Sequence, residues 1–115
     1  MAQTDVPAGT LTLMVLRTLD QMGPQHGYGI ARRIEQVSGD RLQLNQGTIY
    51  PALLQLEQNG WIKGSWGVSE NNRRARYYAI TRAGKRRLAV EEDRWRVASE
   101  TILKFLAPTS DKGVS

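Results

Sequence analysis

The chain of 115 residues contains no cysteine, a single histidine (His26) and a single phenylalanine (Phe105). Without cysteine there is no disulfide, no thiolate metal site and no thiol nucleophile, a composition suited to a reducing cytosol, and a cytoplasmic protein is expected. A zinc site or a histidine-based catalytic dyad would rest on His26 alone, and nothing calls for a cofactor. Long apolar runs are also missing. Leu13 to Leu16 is four residues, far short of the roughly 20 that cross a bilayer. The opening MAQTDVPAG carries an acid and no base, unlike a secretory signal. What is present is 40% hydrophobic and 23% charged, the composition of one globular domain.

Acid is absent from one stretch in particular. Arg73, Arg74, Arg76, Arg82, Lys85, Arg86 and Arg87 fall within fifteen residues that hold no Asp or Glu. The chain has 16 basic and 11 acidic residues, so the remainder is slightly acidic and this stretch carries the whole net charge of +5. Such a block suits either a solvated surface or a nucleic-acid patch, and Tyr77, Tyr78 and Ile80 within it suggest a strand rather than a tail.

Periodicity orders the rest. Leu11, Met14, Val15, Leu19 and Met22 predict a helix from Thr10 to a stop at Gly23-Pro24, after loose residues 1–9. Ile30, Ala31, Ile34 and Val37 predict a second helix from about His26-Gly27 to Gly39, with Arg32, Arg33 and Glu35 on its other face. A third opens on Asn45 as N-cap and closes at Asn59-Gly60, with Ile49, Ala52, Leu53 and Leu56 inward. Its polar side offers Gln46, Thr48, Gln55 and, near them, Tyr50. Pro51 removes one helical hydrogen bond and is expected to bend or loosen the first turn. Residues 61–66 and 75–80 read as two strands around a turn-rich Gly67 to Arg74. Thr81 caps a long last helix in which Leu88, Trp95 and Ile102 recur every seven residues, with Ala98 and Phe105 three after the last two, a partial dimerisation seam. Pro108 ends it, and residues 107–115 read as a tail. The fold class expected is mainly α with a small β-hairpin: a winged helix-turn-helix over residues 1–81 and a long C-terminal dimerisation helix over 82–106. That order places the third helix in the DNA major groove.

The stretch Gly47-Thr48-Ile49-Tyr50-Pro51-Ala52-Leu53-Leu54 with Leu56-Glu57 and Gly60-Trp61-Ile62 resembles the recognition-helix signature of PadR-like bacterial transcriptional regulators. His26-Gly27-Tyr28 with Ile30 resembles the start of that family's second helix. Arg76-Tyr77-Tyr78-Ala79-Ile80-Thr81 with Gly84 resembles its second wing strand and the opening of its last helix. The resemblance spans residues 10 to 106 and implies a homodimeric DNA-binding repressor joined through the C-terminal helix, in the family's short branch. Some PadR-like proteins bind planar aromatic compounds between tryptophans at the dimer axis, which makes Trp95 either a ligand platform or a structural interface residue. Two departures stand out. Asn45-Gln46 replaces a frequent Ser-Pro-like pair, and Glu70 puts an acid at the wing tip.

The candidate DNA-binding residues are therefore Tyr28, Gln46, Thr48, Tyr50, Gln55, Lys63, Arg73, Arg74, Arg76 and Tyr77. Gln suits adenine edges, Thr or Tyr a thymine methyl or a phosphate, and Arg or Lys the phosphates. The candidate dimer residues are Leu88, Trp95, Ala98, Ile102 and Phe105. Trp61 and Trp66 read as packing residues at the base of the wing, and Glu91-Glu92-Asp93 as a charged helix face rather than catalytic carboxylates. The expected partners are a pseudo-palindromic double-stranded DNA operator, a second copy of the chain and a possible planar aromatic effector, with no membrane. The alternative class is a winged-helix module whose basic wing binds an acidic protein. An enzyme is not expected, because no set of titratable groups converges.

Overall fold

The stop signals of the chain set its architecture. In the computed structural model, which describes residues 9–108, helix α1 (Thr10–Met22) ends at Gly23, whose φ of 80° is the left-handed geometry that favours glycine. A two-residue strand β1 (Gln25–His26) follows directly. Helix α2 (Gly27–Val37) starts on His26, whose Nδ1 accepts the Gly29 N–H at 2.9 Å. It ends through Gly39 and Asp40, both at positive φ. Glu35 of α2 then accepts the Leu44 N–H at 2.9 Å. That bond pins the linker and fixes where α3 begins.

Helix α3 (Gln46–Gln58) is capped by Asn45, whose side-chain oxygen accepts the Thr48 N–H at 3.1 Å. It runs unbroken through Pro51. Strands β2 (Ile62–Val68) and β3 (Arg74–Ile80) form the antiparallel hairpin, with Ile62 opposite Ile80 and Trp66 opposite Arg76. The hairpin is longer than the sequence suggested, since the turn needs only residues 69–73, closed by Ser69 and Arg73 backbone pairing and Asn72 at φ 59°. β1 adds to the free edge of β3, giving the sheet order β1-β3-β2. This third strand was not foreseen, because two residues are too few to show alternation.

Helix α4 (Arg82–Leu106) springs from a locked junction. The Thr81 hydroxyl accepts the Gly84 N–H at 3.0 Å and donates to the Gly60 carbonyl at 2.7 Å, while the Thr81 N–H donates to the Trp61 carbonyl at 3.0 Å. Gly84 lies so close that an added Cβ would sit 2.0 Å from the Trp61 carbonyl oxygen.

The core gathers Val15, Leu16 and Leu19 of α1, Ile30 and Ile34 of α2, Ile49, Leu53 and Leu56 of α3, then Ile62, Tyr78 and Leu88. The architecture is thus mainly helical with a small antiparallel sheet. Met22 and Val37, expected inward, are exposed at the ends of their helices. Leu88 corrects the seam: it is only 4% exposed and packs in its own chain's core, so it offers nothing to a partner. Trp95 is half-buried, its ring near Gly9 at the start of α1. Beyond it, Ala98, Ile102 and Phe105 are exposed, Phe105 by 84%. The acidic run is likewise not a plain solvated face. Glu91 is buried and bridges Arg87 at 2.5 Å and Arg94 at 3.4 Å, and Glu92 bridges Arg17 of α1 at 2.8 Å. The Arg87 guanidinium also lies 4.8 Å over the ring of Trp61. Of the residues expected to be loose, 1–9 and 107–115, residues 1–8 and 109–115 lie outside the described residues.

Candidate nucleic-acid interface

Strand parity decides what the wing presents. Trp66, Val68, Arg74 and Arg76 share one sheet face with Ile62, Tyr78 and Ile80. Near the body this face covers the core. Further out it has no core to cover, and it becomes one wall of a cleft whose other wall is α2 and the start of α3. Tyr28, Arg32, Arg33, Gln46, Tyr50, Trp66, Arg73, Arg74 and Arg76 all line this cleft, with Glu70 at its wing-tip end. Its volume of about 1110 Å³ exceeds the roughly 300–1,000 Å³ of a small-molecule pocket. Five arginines against one acid give the lining a strongly positive field.

The cleft therefore brings together six of the ten sequence candidates: Tyr28, Gln46, Tyr50, Arg73, Arg74 and Arg76. The other four stand apart from it. Lys63 and Tyr77 project from the opposite sheet face, paired with Ala79 and Ser65. The Tyr77 ring covers Gly67, meets His26 at 5.4 Å edge-on, and its hydroxyl donates to the Val68 carbonyl at 3.1 Å. Thr48 is half-buried and its hydroxyl is bonded to the Asn45 cap at 3.3 Å. Gln55 sits at the far end of α3, donating to Asn59 at 3.3 Å.

Within the cleft the side chains differ in how free they are. Arg76 is committed to Glu57 of α3 at 2.6 Å. Its guanidinium lies against Gly64, where a Cβ would come within 2.6 Å of it, so a side chain at that point of β2 would push the guanidinium from its seat. The Glu57 carboxylate raises the Arg76 pKa above its ordinary value, against the opposing effect of partial burial. This pair is a tether between α3 and the wing rather than an open phosphate ligand. Tyr78 lies beneath it, and burial raises its phenol pKa while Arg76 counteracts the shift. The Tyr50 ring rests on Gly27, 2.9 Å from where a Cβ would be, which fixes the α2–α3 contact but leaves Tyr50 exposed along one side. Tyr28 is exposed and its ring stacks beside His26 at 6.2 Å.

Sequence reasoning missed Trp66 as a cleft residue. It is 59% exposed rather than packed at the wing base, and Arg74 lies 4.4 Å over its ring. Trp61 does pack partly against the core, as expected. Arg32 and Arg33 were read only as a polar helix face. The signal for them was their position, one turn into a helix that starts at the cleft. No described helix is long and apolar enough to cross a membrane.

Comparison with known proteins accounts for this arrangement. Residues 15–90 match the model of the Transcriptional regulator PadR-like family. A solved transcriptional regulator from Clostridium thermocellum is 30% identical, with a TM-score of 0.80 over 90% of this chain and all of that one. A PadR family regulator from Eggerthella lenta is 26% identical with a TM-score of 0.73, over 90% of this chain and 85% of that one. An uncharacterised protein of Lysinibacillus sphaericus is 26% identical over 92% of this chain and 96% of its own length. The chain belongs to the PadR-like family of transcriptional regulators, which are DNA-binding proteins and not enzymes.

Proposed function

We propose that this regulator is a homodimeric repressor that binds a pseudo-palindromic operator, with the outward residues of α3 in the major groove and the wing on the flanking phosphates. The observation that carries the reading is the cleft itself, in which Gln46 and Tyr50 of α3 and Arg73 and Arg74 of the wing face one basic space. Gln46 supplies the donor and acceptor pair that adenine edges need. Arg73 and Arg74 supply sequence-independent affinity. The uncovered stripe of α4, Ala98, Ile102, Phe105 and Leu106, supports pairing with a second copy, since apolar side chains left in water on a helix gain by burial. A dimer places two recognition helices about 34 Å apart per helical turn. Relief by a planar aromatic effector beside Trp95 extends the reading. Trp95 stands where the chain's own packing ends and the uncovered stripe begins.

The test is operator selection with the full-length protein followed by salt titration. Arg73→Ala should weaken binding to every sequence and lower the salt slope by about one unit. Gln46→Ala should instead re-rank the selected sequences, at about 1–3 kcal/mol per lost base contact. The rival reading, an acidic protein partner in the cleft, predicts no selected DNA at all.

A further inference from the structure

An exposed tryptophan is an expensive surface residue unless something covers it. Trp66 is the largest apolar side chain on the cleft wall. It is 59% exposed, while the strand residues inward of it on the same face, Ile62 and Tyr78, are buried. It has not been left there by accident of strand length, because two arginines are organised around it. Arg74 projects diagonally across the ladder and places its guanidinium carbon 4.4 Å from the ring centroid. Arg76, directly opposite in register, lies 5.6 Å from the same ring while bound to Glu57. The indole is thus fixed from one side by a tethered arginine and carries an untethered arginine on its π surface. Arg74 makes no ion pair among the described residues, so its charge remains available.

We infer that Trp66 is a positioning residue for DNA binding: it holds the Arg74 guanidinium over its ring, aimed into the cleft, and lays its own free edge on the sugar of the strand whose phosphate Arg74 takes. The chemistry fits this ligand better than a protein partner. A free arginine samples many rotamers, and stacking on an aromatic face removes that freedom before the ligand arrives. A phosphodiester strand offers an anion and an apolar sugar side by side, which matches a guanidinium beside an indole edge. The positive lining of the cleft favours the same ligand.

The inference rests on the proposed binding of DNA in this cleft, and the experiment separates the two. Affinities for the selected operator are measured for Trp66→Ala, Trp66→Phe, Arg74→Ala and the Trp66→Ala/Arg74→Ala double variant, with Arg73→Ala as reference. Because Trp66 and Arg74 are exposed, thermal midpoints should match the parent. Trp66→Ala should weaken binding about 3- to 30-fold, the range for a stacked cation. Trp66→Phe should recover most of the loss. The double variant should bind distinctly better than the product of the two single losses, because without Arg74 the indole has no guanidinium to position and keeps only its contact with the sugar. Independent, multiplicative losses from the two single variants would overturn the coupling, as would a Trp66→Ala variant that binds like the parent while Arg73→Ala is impaired. If Arg73→Ala is also silent, DNA does not occupy the cleft, and both readings fall. If Trp66→Ala instead changes the oligomeric state, the residue covers a protein interface and the inference is wrong.

Discussion

The two halves of α4 belong to one continuous helix and have opposite surroundings. Around residues 84–91 the helix is part of the core: Gly84 touches the Trp61 carbonyl, Leu88 is buried and Glu91 is enclosed with Arg87. From Arg96 onward every described residue of the helix is exposed, including Val97, Ile102, Leu103, Phe105 and Leu106. A single stripe at seven-residue spacing runs through both halves. In the first half it is satisfied within the chain. In the second half nothing among the described residues covers it. Hydrophobic periodicity therefore marks a stripe, but does not say whether the chain's own fold covers it.

The largest expected effect lies at the junction in the packed half. Gly84→Val places two more carbons where even a Cβ would be 2.0 Å from a backbone carbonyl that cannot swing aside. The cost should lie at or above the top of the usual range of about 1–3 kcal/mol for overpacking. Chemical denaturation should show a strongly lowered midpoint, and an unchanged one would mean that α4 is not seated on Trp61. Next comes the contrast itself. Leu88→Ala should lose about 2–5 kcal/mol whatever the protein concentration, because the cavity is inside the chain. Ile102→Asp should leave the folded chain intact but abolish the concentration dependence of its stability and shift light scattering to the monomer. If Leu88→Ala alters the monomer–dimer ratio at constant stability, or Ile102→Asp unfolds the chain, the division of α4 into two halves is wrong.

A weaker effect is expected where α3 meets the wing. Glu57→Gln keeps the shape and removes the charge that holds Arg76. Both side chains are about one-third exposed, so the stability change should stay within about 1 kcal/mol. Operator affinity should fall more than stability does, because the wing is no longer held at a fixed angle to α3. A stability loss larger than the affinity loss would make the pair a packing feature and not a tether.

How far the sequence foretold this follows from the same contrast. Local signals were enough for the helix ends: Gly23-Pro24, Asn45, Asn59-Gly60 and Thr81 act on their own backbone neighbours, and each does so in the structure. Strand parity correctly put Tyr77 and Tyr78 on opposite faces. Parity could not say that the face burying Ile62 would open into a cleft by Trp66, because that depends on where the body of the molecule stops. It also could not supply the register that sets Lys63 opposite Ala79, away from Arg74 and Arg76. The Arg76–Glu57 pair joins residues 19 apart in sequence, and no local pattern announces it. Of the proposed DNA contacts, those on α3 and the wing tip were legible as residue types. Their freedom or engagement was not.

The smallest predicted effect is alkaline and concerns Tyr78, beneath that tether. Burial raises its phenol pKa above the ordinary 10.0, Glu57 and Tyr50 add to the shift, and Arg76 opposes it. Because the folded chain holds the proton more tightly than the unfolded one, the contribution is fully present below pH 10 and is lost as pH rises through the raised value. Denaturation midpoints of the parent should therefore decline above about pH 10. Tyr78→Phe, which cannot ionise, should decline less over the same range, although it starts from a slightly different stability at neutral pH. The other tyrosines are common to both proteins, so the informative quantity is the difference between the two pH profiles. Parallel profiles would show that Tyr78 ionises as easily in the fold as out of it, and that its ring is not held in the core.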